Sequence, residues 1–252
     1  MKTKTTTNPL LFADQLALEL VDPARVEQAL HDPRSLDALT WNVFATLERH
    51  RDRSWLAHRL ELLGGEDLRA PVRITNWVGR TQEPRLTPTA AYLASVKERI
   101  QQAGADDAGL SEALAEHSDP VEVPVLIESP DVVCLVDTYL DHYPAGTGGR
   151  DRLTEIVDAG LEHARRVGKR LAVAAVYASG TDVAATVSTH IRELRDGLAQ
   201  ALPHRSGKID VTLRELSWQQ LLKVWETEAD YLELAGQPVK AFLAHTAALG
   251  LR

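Results

Sequence analysis

The clearest pattern of apolar and polar positions begins at Val121. Val121, Val123, Val125, Leu126 and Ile127 form one apolar run, and Val132 to Val136 followed by Tyr139 form another. Ser129-Pro130-Asp131 between them is a turn sequence, so the two runs read as buried strands joined in a hairpin. Leu171 to Tyr177 is continuously apolar, the pattern of a central strand covered on both faces. Ile209, Val211 and Leu213 alternate with Asp210, Thr212 and Arg214, which predicts a half-exposed outer strand. Val72 to Val78 predicts one more.

Helical spacing fills most of the remainder. Leu10 to Leu30 carries it, interrupted at Asp22-Pro23. Ser35 is placed to cap a helix reaching about His50, with Leu36, Leu39, Val43 and Leu47 as its buried stripe. A helix around Trp55 to Leu63 is ended by Gly64-Gly65. Thr87-Pro88 opens another, with the proline at its first position. Gln101 to Asp119, rich in Ala, Gly, Asp and Glu, reads as a surface segment. Asp151 is a natural N-cap for a helix to Val167, and Thr181 caps one carrying Val183, Val187, Ile191, Leu194, Leu198 and Leu202. Ser217 caps a short helix to about Trp225, and a last helix covers roughly Ala229 to Leu249. This alternation predicts an α/β fold, a mixed central sheet flanked by helices with extra N- and C-terminal helices. The expected organisation is a polar tail over 1–9 and one domain over 10–252. Within it lie a helical part at 10–70, a core at about 35–226 and the C-terminal helix at 229–249.

Composition narrows the class. A chain of 252 residues can bury a large core, and 44% hydrophobic with 25% charged residues is ordinary for a soluble protein. No apolar run approaches the ~20 residues that span a bilayer, and the polar start lacks a secretory apolar segment. The single cysteine, Cys134, excludes an internal disulfide and a thiolate metal cluster, and suits a reducing cytoplasm. A net charge of -8 opposes indiscriminate binding to nucleic acid. The richest basic stretch, His163 to Arg170, reads first as cations gathered at a helix C-terminus and second as a phosphate-binding patch. The nine histidines show no HExxH spacing. Gly146, Gly148 and Gly149 lack the Lys-Ser or Lys-Thr pair of a phosphate-cradling loop, and read as a connector.

The hairpin holds the candidate chemistry. Side chains two apart share a strand face, so Glu122, Pro124, Leu126 and Glu128 point one way on the first strand. Asp131, Val133, Leu135, Asp137 and Tyr139 share a face on the second, which projects Asp137 and Tyr139 together from its end. The plain alternative is that Asp137 merely ends a strand beside the Asp141-His142-Tyr143-Pro144 turn.

Val121 to Tyr139 resembles the metal-binding hairpin of the PD-(D/E)XK, or restriction-endonuclease-like, nucleases. Asp37 to Phe44 resembles that family's first core helix. Arg150-Asp151-Arg152-Leu153 opening a helix, then the strand at Leu171 and Leu216 to Leu221 after a late strand, fit as well. The resemblance implies a hard-cation site of carboxylates with an activating lysine, acting on nucleic acid. It departs where it matters, since Pro124 stands at the first acid and Tyr139 at the lysine, leaving Asp137 as the retained acid. A phenol titrates near 10 and supplies no fixed positive charge. The expectation is therefore a nuclease-like chain that has lost catalysis, serving as a nucleic-acid-associated or protein-interaction module and requiring no cofactor. Two alternatives stand beside it. One is an active Mg²⁺- or Mn²⁺-dependent nuclease with catalytic Asp137, Tyr139 and Glu122 and metal ligands from Asp137, Glu122, Glu128 and Asp37. The other is an α/β domain that binds a small molecule or protein. DNA or RNA would meet Arg150, Arg152, Arg165, Arg166 and Lys169.

Overall fold

Six strands form one mixed sheet in the computed structural model, which describes residues 8–80, 82–102, 104, 106–143, 151–206, 209–231 and 237–252. They are β1 (Arg73–Gly79), β2 (Gln82–Arg85), β3 (Val123–Glu128), β4 (Val132–Thr138), β5 (Arg170–Tyr177) and β6 (Val211–Ser217), in the spatial order β2-β1-β3-β4-β5-β6. The tight Ser129–Asp131 turn leaves only an antiparallel return, so β3 pairs antiparallel with β4, and β1 pairs antiparallel with β3. β4, β5 and β6 are mutually parallel, which requires crossovers. These are α7 (Arg152–Val167) and α8 (Asp182–Ala201).

Strand alternation sorts the core into two layers. Val125, Ile127, Cys134, Val136, Ala172, Ala174 and Val176 face α3 (Leu36–Glu48), α4 (Arg53–Gly64), α9 (Trp218–Tyr231) and α10 (Gln237–Ala248). Leu126, Val133, Leu135, Val173 and Ala175 face α5 (Ala90–Gln102), α7 and α8. A smaller cluster joins α1 (Ala13–Glu19) and α2 (Pro23–His31) to α3, around the stacked rings of Trp41 and Trp77 at 5.7 Å. The helix stops follow local chemistry. Asp22 caps α2 with Pro23 at its first position, Ser35 caps α3, and Gly168 ends α7 in the left-handed region.

Several expectations need correction. Pro88 is not the first residue of a helix: α5 starts at Ala90, and the Thr89 hydroxyl accepts from the Tyr92 amide at 3.1 Å, taking the capping role. Gln101 to Asp119 holds a helix, α6 (Asp107–Ser118), capped by Asp106. The helix after Ser217 continues past Trp225 to Tyr231, and of the helix expected over 229–249 the described part comprises the end of α9 and α10, residues 232–236 lying outside the described residues. Asn8, expected in a free tail, is buried, and its amide donates to the Ala29 carbonyl at 2.8 Å. Four of the five tryptophans are core residues, whereas Trp55 is 39% exposed under the Arg59 guanidinium. No described helix is long and apolar enough to cross a membrane.

Pro124 produces the irregularity that matters most. The β3–β4 ladder runs from Glu128 paired with Val133 to Val125 paired with Val136 and stops there. A proline has no donor to continue it, so β3 and β4 part just where Asp137 begins. On the other side of β3, Trp77 takes a left-handed conformation (φ 49) between the Asn76–Val125 and Val78–Val123 pairs. The twist carries Val123 to the opposite core layer from Val125.

Candidate functional site

Where β3 and β4 part, three of the four residues expected to hold a cation, Asp137, Glu122 and Asp37, come together, but around arginines. Asp137, at the end of β4, is 1% exposed. Arg152, in the first turn of α7, grips it through both oxygens, with Nε to Oδ2 at 2.7 Å and Nη2 to Oδ1 at 2.8 Å. The same Nη2 donates to the Glu122 carbonyl at 2.9 Å, which fastens the free start of β3 to α7. Tyr139, also buried, donates its phenol proton to Asp137 Oδ2, and its ring stacks on Tyr143 at 5.4 Å. The Tyr139 carbonyl in turn accepts from the Trp218 indole at 2.9 Å.

A second arginine occupies the adjoining position. Arg25 of α2 donates to both oxygens of Asp37, at 2.9 and 2.8 Å, and to Glu122 Oε1 at 2.5 Å. Asp37 also accepts from the Trp77 indole at 3.2 Å. Thus Asp137, Tyr139, Glu122 and Asp37 belong to one chain of contacts running Tyr139, Asp137, Arg152, Glu122, Arg25, Asp37. Glu128 does not join it. It lies at the far end of β3, paired with Lys169 Nζ at 2.9 Å. No group of three or more His, Cys, Asp or Glu placed to hold a metal ion occurs among the described residues.

The electrostatics follow from burial and pairing. Burial alone would lower the Arg152 pKa, but Asp137 outweighs it and holds the guanidinium above its ordinary value. Arg25 shows the same balance, with Asp37 and Glu122 overcoming burial. The Tyr139 phenol is pushed well above 10 by burial and then by the Asp137 charge. It stays a neutral donor and supplies no charge to its neighbours. A carboxylate already accepting a bidentate guanidinium and a phenol has few lone pairs left for a hard cation, which needs several converging oxygens.

The predicted basic contacts are distributed otherwise. Arg152 is the half-buried partner of Asp137 just described. Arg165 pairs with Glu162 at 2.7 Å on the exposed end of α7, and Lys169 with Glu128. Arg166 is exposed and has no carboxylate partner among the described residues. Arg150 and the glycines at 146, 148 and 149 lie outside the described residues. His142 is exposed, and Asp141 beside it pairs with Arg34.

Sequence reasoning missed Arg25, which is 97 residues from Glu122. It also missed a buried polar hub on α7. Asp158, fully buried, accepts from the Thr89 amide and hydroxyl at 3.0 Å each, from Arg205 Nε at 2.7 Å, and lies 2.8 Å from His204 Nε2. One turn earlier, Glu155 meets His117 Nδ1 at 2.6 Å. Burial opposes ionisation of Asp158, yet these donors bring its pKa below the usual carboxylate range. A visible signal was two acids three residues apart inside the otherwise apolar stripe of α7.

Comparison of the chain with known protein families, curated proteins and solved structures finds no match.

Proposed function

We propose that this chain is a nuclease-like α/β protein that works by binding and not by cleavage. The former cation cradle has become an ion-pair lock. The observation that carries the reading is the bidentate Arg152–Asp137 contact, closed further by Tyr139. A guanidinium supplies the positive charge that a cation would otherwise bring, but it carries no exchangeable water and stays protonated, so it activates no nucleophile. The order of elements supports the ancestry: a helix at Leu36, the β3–β4 hairpin, a helix at Arg152 and a parallel strand at Arg170.

A protein partner fits the charges better than nucleic acid does. Among the predicted phosphate contacts, Arg152, Arg165 and Lys169 are matched by acids, and the chain carries -8 overall. The deciding experiment incubates the full chain with plasmid and single-stranded oligonucleotide in Mn²⁺, beside Asp137→Ala and Glu122→Gln. No metal-dependent cutting is expected from any of them. Cutting by the wild type that Asp137→Ala or Glu122→Gln abolishes would overturn the reading in favour of an Mg²⁺- or Mn²⁺-dependent nuclease.

A further inference from the structure

The sheet ends at β6, which among the described residues has a strand neighbour, β5, on one side only. Alternate residues of such an edge strand turn both backbone groups away from the neighbour. Leu213 belongs to this outward set, because its carbonyl accepts from Arg195 Nη2 at 3.0 Å and Nε at 3.3 Å. Val211 and Glu215, two residues to either side, therefore face outward with it. Arg195 comes from α8, and among the described residues it is the one side chain bonded to these outward backbone groups.

A row of free donors and acceptors is a template for another strand, and proteins commonly blunt it with charge. Here the charges do not blunt it against a second copy. Asp210, Thr212 and Arg214 are exposed. Thr212 and Arg214 line a small cleft with Gly64 and Gly65 at the end of α4, and strand alternation puts Asp210 on the same face. Asp210 and Arg214 have no ion-pair partner among the described residues, whereas Asp67 and Arg170 beside them are paired with one another.

The order of these residues decides what two copies do. Laid antiparallel about a twofold axis through Thr212, Asp210-Val211-Thr212-Leu213-Arg214 sets each Asp210 opposite the Arg214 of the second copy. Opposite signs meet at both ends, and on the α8 face Val211 meets Leu213. The register also satisfies the backbone. Val211 and Leu213 are both outward residues, so they form the pairs that exchange N–H and C=O. The Asp210–Arg214 pairs are then of the closer, non-hydrogen-bonded kind, in which side chains interact across strands. Moving the axis to Leu213 keeps the backbone pattern but sets Arg214 against Thr212 and loses both ion pairs.

Arg195 stands on this path. Its guanidinium holds the Leu213 carbonyl that the second copy's Val211 amide would take. Its Nη1 already lies 3.5 Å from Glu215 Oε1, and the side chain is 42% exposed, so a second resting place is at hand. We propose that β6 is a self-association edge, which pairs antiparallel with β6 of a second copy about Thr212, and that Arg195 is its latch. Exposed ion pairs contribute little and a net charge of -8 repels, so the dimer is weak and depends on concentration. The inference goes beyond the nuclease-like reading and does not depend on it.

Sedimentation velocity of the full chain, over about two decades of concentration up to about 500 µM, tests it. The wild type is expected to show a reversible monomer–dimer equilibrium. Asp210→Arg and Arg214→Asp each set like charges opposite one another at both ends, and each should weaken dimerisation at least tenfold. The double replacement Asp210→Arg with Arg214→Asp restores opposite signs and should return to within about threefold of wild type. That recovery separates a lost interface from a lost fold. Arg195→Ala frees the Leu213 carbonyl and should tighten the dimer about fivefold or more. A wild type that stays monomeric at every concentration overturns the proposal. So does a dimer that both single charge variants leave unchanged, or a double replacement no tighter than the singles.

Discussion

Asp137 shows what a carboxylate needs in order to be buried. Buried and doubly gripped by Arg152, it is stable only while both partners remain, because removing one leaves an uncompensated charge. Arg152→Ala and Asp137→Ala are each expected to cost about 3–5 kcal/mol in urea unfolding. The double replacement Asp137→Leu with Arg152→Leu should cost much less than their sum, which a double-mutant cycle measures directly. Tyr139→Phe deletes a single donor and should cost about 1–3 kcal/mol. The nearness of Asp137 and Tyr139 was legible in the sequence, because a two-residue period puts both on one face. The partner was not. Arg152 reads as a phosphate contact from its place after a loop at a helix start, and nothing in a linear pattern tells that its guanidinium turns inward. Arg25 is less legible still, lying in a different helix from the two acids it joins.

At the level of elements, the irregular end of β1 is where the sheet is most exacting. Gly79 has φ 110, and a Cβ there would stand 2.0 Å from the Val121 carbonyl oxygen. Neither the conformation nor the contact can be relieved by rotating a side chain. Gly79→Ala is therefore expected to destabilise by at least about 2–3 kcal/mol, read as a drop in the urea midpoint. By contrast a Cβ at Gly168 meets nothing within 4 Å, so its replacement carries only the backbone cost of a left-handed residue. Five of the six strands were readable, since a short apolar run, unbroken or alternating and bounded by turn residues, fits a strand far better than a helix, whereas β2, Gln82-Glu83-Pro84-Arg85, has no apolar residue but its proline and was not. The segment holding α6 was least readable. Its helix turns mostly polar residues to solvent, and the buried contact of His117 with Glu155 depends on an acid far along the chain.

For the whole molecule, two histidines, one buried and one half-buried, contribute to how folding responds to acid. The His163 pKa is lowered from 6.5 by burial and then by Arg166, with Lys169 adding to the shift and Glu128 opposing it. His245 is lowered by burial as well. The unfolded chain therefore binds more protons than the folded one just below 6.5, so stability is full above that pH and declines as pH falls through the window towards the folded values. The urea midpoint is expected to drop between about pH 7 and pH 5, and His163→Gln should flatten that slope. A slope unchanged by the substitution would assign the effect to other groups. Charge acts on the same scale, since an excess of eight negative charges repels like-charged surfaces and attracts basic ones.

Cys134 lies in β4 between two covered faces, with no accessible surface and its thiol pKa pushed up to about 12 by burial. A reagent such as iodoacetamide or an aromatic disulfide attacks thiolate, so the native chain offers it nothing until the centre of the sheet opens. The lone thiol is thus an internal clock. Its alkylation rate, divided by that of the same chain in urea, should report the free energy of opening the sheet's middle without any added label. That ratio is expected to fall by several powers of ten relative to an exposed cysteine, and to rise in parallel with each destabilising substitution named above.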